Sequence, residues 1–313
     1  MSDVSKQQTS HNKHAWLIPF TCLLVGGALI GISTNLAKYA NEIGVTPLAF
    51  LFWSITGAAI ILLAVAIIKK ELPPLTAHSF EYYFVAALVS VAGSNLLLFS
   101  AIPHVGASFV ALIVSLPPLL TYLGALMLRM ERFNIIRSLG VAAALTGAGV
   151  LAVRKFSAPD ASIVWILLAL CGPVLLAIGN IYRTLRWPDQ ASPNALAPGM
   201  LIAAALLLFM CSALPNFSVH VSLTGWLPLG VIVVQAGLFA GQFLLLFVLQ
   251  KTGGPVLLSL LGSVGAVVGV PVAIFLQGEN PPAGLFLGAS LIALGVALVT
   301  WGGVKMSVKI VKK

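Results

Sequence analysis

Ten long apolar blocks alternate with short polar stretches along the chain. The blocks cover about residues 16–37, 47–68, 80–102, 106–128, 137–153, 162–182, 195–214, 226–249, 254–276 and 283–301. A helix needs about 20 apolar residues to cross the hydrocarbon core of a bilayer. The blocks have that length. Their apolar residues are continuous rather than alternating, which argues for helices and against a β-barrel. The pattern predicts an all-α integral membrane protein with ten transmembrane helices. Residues 1–15 are expected to be a cytoplasmic tail and 304–313 a basic cytoplasmic tail. A signal peptide is the alternative for the first block, but that block is long for one and lacks a small-residue cleavage site.

Composition sharpens this. Of 313 residues, 59% are hydrophobic and 8% charged, with a mean hydropathy of +1.06. Soluble domains carry roughly 25% charged residues. A soluble enzyme, a disordered chain and a disulfide scaffold are therefore excluded. Cys22, Cys171 and Cys211 lie in apolar blocks without metal-site or disulfide spacing. The net charge of +9 sits in short clusters between blocks, not on one face, so no nucleic-acid partner is expected. With the N-terminus inside, inner segments hold fourteen Lys and Arg, whereas outer ones hold Lys38, Arg154 and Lys155. The positive-inside rule then puts both termini in the cytoplasm. The expected location is the bacterial plasma (inner) membrane.

The chain also matches itself. At an offset of 147, Ser94-Asn95-Leu96 meets Gly241-Gln242-Phe243, and Gly106 meets Gly253 in what reads as a second short loop. At 148, Glu131 meets Glu279, Gly140 meets Gly288 and Gly147 meets Gly295; at 145, Asn35 and Lys38 meet Asn180 and Arg183. The expected organisation is two five-helix repeats, 16–155 and 156–303. Five is odd, so the second copy would enter the membrane inverted, as in many secondary transporters.

These residues resemble the drug/metabolite transporter superfamily, and more closely its EamA-type family of ten-helix carriers. The resemblance rests on Asn35 to Lys38, Gly106-Ala107-Ser108, Leu116-Pro117-Pro118, Met130-Glu131-Arg132, Gly140 and Gly147. The second copy adds Gly253-Gly254-Pro255, Gly278-Glu279-Asn280, Gly288 and Gly295. Met130 replaces the usual Gly of the Gly-Glu pair. The resemblance implies export or import of small metabolites, amino acids among them. It also implies a central cavity lined by spans 1, 3, 4, 6, 8 and 9.

Polar residues inside apolar blocks are the candidate substrate contacts. Asn35, Asn95, Asn180, Gln235 and Gln242 are costly in hydrocarbon, so they should face the bundle interior. Their amides offer donors and acceptors suited to amino and carboxyl groups; interhelical hydrogen bonding is the plainer alternative. Ser94, Ser115, Ser259, Ser263 and Tyr122 join them, with a packing role as alternative. Trp53 and Tyr182 can stack on a substrate side chain. Lys38 and Arg183 can each attract a carboxylate at one mouth or snorkel to headgroups. Pro117 and Pro118 form a candidate hinge, or a static kink. No carboxylate lies mid-bilayer, and spans 8–10 hold no Lys or Arg apart from terminal Lys251, so an uncharged cavity is expected.

The expected function is a secondary transporter moving a small neutral or zwitterionic metabolite by alternating access. An amino acid is the first guess, and an exporter the favoured direction. The alternative is a carrier of hydrophobic, drug-like or lipid-linked substrates, and an integral membrane enzyme is remote. No Walker or zincin motif appears, so no ATP drive, catalytic residue, metal or cofactor is expected. The expected partners are a small-molecule substrate and membrane lipid, with a homodimer left open.

Overall fold

The computed structural model describes residues 17–130, 132–156, 162–215, 217–221, 225–281 and 284–311, which are all-helical with no strand among them. The helices are α1 Leu17–Glu42, α2 Pro47–Ile68, α3 Ala77–Val105, α4 Ala107–Met127 and α5 Ile135–Phe156. They continue as α6 Ile163–Leu185, α7 Pro193–Cys211, α8 Trp226–Ser259, α9 Leu261–Leu276 and α10 Leu285–Val311. Eight, α1 to α8, are long and apolar enough to cross a membrane; the apolar stretches Leu261–Leu276 and Leu285–Val299 are shorter. Large apolar side chains such as Phe275 and Phe286 point outward, as they do on a surface that lipid covers.

Local chemistry sets several helix starts. Thr46, Thr76 and Ser192 sit in extended backbone, and their hydroxyls accept from Ala49, Ser79 and Ala195 N–H. These are N-caps, and Pro47 and Pro193 follow at positions whose N–H needs no partner. Within α4 the helix stops at Ile113 and restarts at Pro117. A proline there cannot donate to the preceding turn. The Ser115 hydroxyl takes up the Leu112 carbonyl at 2.6 Å. A π-helical turn, Leu88–Ala92, interrupts α3, and another, Val272–Leu276, ends α9.

One expected boundary moves. The short loop expected at Gly253 is not formed: α8 stays helical to Ser259 and the chain turns at Leu260. Its counterpart Gly106 does break the chain, at φ +90°. The physical difference lies next door. Gly106 is followed by Ala107 and Ser108, whose N–H groups are capped by Glu279, whereas Pro255 stands at the Ser108 counterpart and has no N–H to offer.

Small residues let the helices approach. In α5 and α10, Gly140 lies against the Gly295 carbonyl and Gly147 against that of Gly288. The numbers rise on one helix as they fall on the other, so the two run antiparallel. Gly31 of α1 meets Gly265 and Gly269 of α9 in a parallel crossing. The main further contacts place α1 against α8, α6 against α3 and α4, α2 against α7 and α8, α7 against α3, and α4 against α9.

Candidate functional site

A cavity of about 90 Å³, partly open to the outside, lies among α1, α3, α4, α6, α8 and α9. One wall is apolar. Phe99 and Phe239 stack with centroids 6.3 Å apart, and Phe243 follows at 5.7 Å from Phe239. Aliphatic side chains such as Ile30, Leu98 and Val114 line much of the rest, and Ser33, Thr34, Ser90, Asn95, Asn180, Arg183 and Gln242 bring polar groups to it.

Helix geometry sets these side chains. The π turn shifts the register of α3, and Asn95 Nδ2 donates to the Val91 carbonyl there at 2.8 Å. Gln235 is fully buried behind the cavity and donates to the Ser33 hydroxyl. Asn180 and Arg183 stand one turn apart, and Arg183 Nη2 donates to Asn180 Oδ1 at 2.7 Å. Ser90 Oγ, Gln242 Oε1 and Arg183 Nε have no hydrogen-bond partner among the described residues. Buried polar groups are nearly always satisfied. Three unsatisfied ones on one cavity are groups that a polar solute can complete.

The cavity is therefore not uncharged, contrary to the sequence expectation. Arg183 is 2% exposed and has no carboxylate partner among the described residues. It does not snorkel. Counting cations only in spans 8–10 overlooked it. Its spacing of three from Asn180 was the available signal, since residues three apart share a helix face.

Of the other candidates, Asn95, Asn180, Gln242 and Pro117 line this cavity. Asn35 lies outside it: its Nδ2 bridges the Gly31 and Gly269 carbonyls at 2.9 Å each, joining α1 to α9. Trp53 donates to the Val219 carbonyl at 2.8 Å, on the periphery. Tyr182 stacks on Tyr82. The Tyr122 hydroxyl accepts from Asn134 N–H at 3.0 Å, and Arg137 lies over its ring. Ser94 is fully buried between helices. Ser115 and Ser263 border a different, apolar groove between α4, α9 and α10. Pro118 is buried beside Pro117. The Ser259 side chain lies outside the described residues. Ser33, Thr34, Ser90 and the three phenylalanines were not singled out by sequence, because Ser, Thr and Phe are ordinary in membrane helices.

Lys38 serves another cluster. Its Nζ lies 3.4 Å from Glu279 Oε2. The same carboxylate accepts from Ala107 N at 2.9 Å, from Ser108 N at 3.2 Å and from the Ser108 hydroxyl. Glu279 thus caps the first turn of α4 from the turn that follows α9, where a carboxylate meets the positive helix end. Gln277 Nε2 ties that turn to the Asn35 carbonyl at 2.8 Å.

Comparison with known proteins agrees with this architecture. Residues 17–153 match the EamA-like transporter family. The WAT1-related protein At5g40210 of Arabidopsis thaliana is 22% identical over 314 residues, covering 94% of this chain and 90% of its own. A second from the same plant, WAT1-related protein At4g15540, is 24% identical over 316 residues, covering 91% and 88%. A solved crystal structure, titled only as that of a protein, superposes with a TM-score of 0.63 at 20% identity. It covers 92% of this chain and 97% of that one, a likeness of fold alone. EamA family members are transporters rather than enzymes. With its many apolar helices, this multi-pass membrane protein carries an EamA-family domain at residues 17–153, and it is similar over most of its length to the WAT1-related proteins.

Proposed function

We propose that the chain is a secondary transporter that moves a small metabolite by alternating access between two inverted five-helix repeats, 16–155 and 156–303. The observation that carries this is the cavity, bordered by polar groups on one part of an apolar lining, among helices of both segments. Helix contacts support the repeat. Exchanging each helix with the one five places along turns α1 on α8 and α9 into α6 on α3 and α4, and α2 on α8 into α7 on α3. The pairs α2·α7, α4·α9 and α5·α10 map onto themselves. The antiparallel glycine pairs of α5 and α10 obey the same exchange, as an axis in the membrane plane requires. In this reading ten helices span, including the two shorter ones, and both termini face the cytoplasm.

The substrate is a small neutral or zwitterionic solute, an amino acid first, exported across the plasma membrane. Asn95, Asn180 and Gln242 contact it. A purely hydrophobic or lipid-linked substrate would leave Ser90, Gln242 and Arg183 unsatisfied, which disfavours that reading. The relatives are plant proteins and lend no support to a bacterial origin. Movement of one group of helices against the other opens and closes the two ends. Glu279 holds α4 to α9 at one of them, with Pro117 and Pro118 at the break below.

The test is uptake and counterflow of the twenty amino acids in proteoliposomes, with and without a pH gradient. Saturable counterflow of at least one is expected. Non-saturable leakage that shows no counterflow would mean a pore and would end the carrier reading. Labelling of the two termini on opposite faces would end the inverted repeat.

A further inference from the structure

Arg183 is a buried cation in the membrane-spanning part of the protein, with no carboxylate partner among the described residues. It is 2% exposed, lines the cavity, and donates from Nη2 to the neutral amide oxygen of Asn180. Tyr82, whose hydroxyl is also buried and has no hydrogen-bond partner among the described residues, interacts with it electrostatically. Guanidinium groups stay charged in proteins, and an unpaired charge away from water is expensive. Charged residues inside membrane bundles are rare and mark substrate or ion pathways. The bond from Nη2 to Asn180 fixes the guanidinium plane and leaves Nε open. A planar fork of N–H donors matches a carboxylate in geometry and in charge. One cation neutralises one negative charge, which suits a monoanion better than a phosphate dianion. The stacked Phe99 and Phe239, with Phe243 beside them, supply a wall for an apolar body.

We infer that Arg183 anchors the carboxylate of a monocarboxylate or amino acid whose apolar or aromatic body lies along the Phe99–Phe239–Phe243 wall. This deepens, and rests on, the transporter reading. Asn180, besides lining the cavity, orients the guanidinium.

The test is binding to the purified full-length protein, read as thermal stabilisation across a concentration series. The probes are L-phenylalanine, phenylacetate, phenethylamine, phenyl phosphate and glycine. L-phenylalanine and phenylacetate should bind at least tenfold more tightly than phenethylamine, which lacks the carboxylate, and than glycine, which lacks the body. R183Q should lose at least tenfold for both acids, and R183K, which keeps the charge without the fork, should lose less. The series on the unaltered protein decides by itself should the variants fail to fold. Equal binding of phenethylamine, tighter binding of phenyl phosphate, undiminished binding by folded R183Q, or no binding of either acid would each overturn the anchor. Counterflow of labelled L-phenylalanine separates the two ideas. Acid binding without counterflow sinks the carrier and leaves the anchor, whereas full-rate counterflow in R183Q sinks the anchor and leaves the carrier.

Discussion

Glu279 accepts the backbone N–H of Ala107 at 2.9 Å, so a carboxylate from the turn after α9 closes the first turn of α4. The two residues are 172 apart in sequence, and the bond joins the two proposed repeats at one end of the cavity. Lys38 supports it from α1 at 3.4 Å.

Removing the charge should loosen that end. Hydrogen bonds to charged groups contribute about 1.5–3 kcal/mol each, and E279Q keeps the shape while weakening them. In proteoliposomes, a cysteine placed at Thr34 should be modified several-fold faster by a membrane-impermeant thiol reagent in E279Q than in the parent. Equal rates would mean that Glu279 holds nothing shut.

Gly106 should tolerate no side chain. Its φ is +90°, and a Cβ there would run into the Glu279 carboxylate. Backbone strain of this kind costs ~1–3 kcal/mol before the lost cap is counted. G106A should melt lower than the parent and share the faster labelling of E279Q. A melting temperature unchanged from the parent would refute this.

The α5–α10 crossing should depend on Gly140 but not on Gly149. A Cβ on Gly140 would lie 2.6 Å from the Gly295 carbonyl and 2.9 Å from Leu298 Cβ, whereas one on Gly149 meets nothing within 4 Å. G140V should lose about 1–3 kcal/mol through overpacking. G149A should gain up to about 1 kcal/mol, the helix preference of Ala over Gly. Thermal melts of the two variants in detergent compare them directly, and similar losses in both would refute the assigned packing.

Acid should weaken the joint between the α2–α3 loop and α7. The Ser192 hydroxyl, at 2.6 Å, and then the Asn194 amide, at 2.7 Å, hold the Glu71 carboxyl below its ordinary value of 4.5. A depressed carboxylate stabilises the fold above the unfolded value, and that stability is lost as pH falls through the folded value. The melting-temperature gap between the parent and E71Q should therefore be constant from pH 7 down to about 5. Below 4.5 it should shrink. A gap that holds steady through this range contradicts the assignment.

Asn95 and Gln242, the matched amides of the two repeats, both reach the cavity. N95A and Q242A should fold, since each removes a side chain that borders open space, and each should cut proteoliposome uptake at least tenfold. Undiminished uptake by both would remove the amides from the substrate's path.

The all-helical fold and its long apolar helices were readable from the chain alone. Continuous apolar runs leave a backbone in lipid no arrangement but helix, because every N–H and C=O must be satisfied within the segment. Gly140, Gly147, Gly288 and Gly295, which the sequence marks as matched positions, are where the structure packs α5 against α10. Which polar side chains meet a solute was another matter. Asn35 and Asn180 are equivalent by position, yet Asn35 is spent bridging the Gly31 and Gly269 carbonyls while Asn180 orients Arg183 in the cavity. Lys38 and Arg183 are likewise equivalent, but Lys38 has Glu279 and Arg183 has no carboxylate among the described residues. Local pattern carries periodicity and solvent preference, which each residue expresses alone. The fate of a group such as Lys38 depends on a partner 241 positions away, which only the packed bundle brings to 3.4 Å.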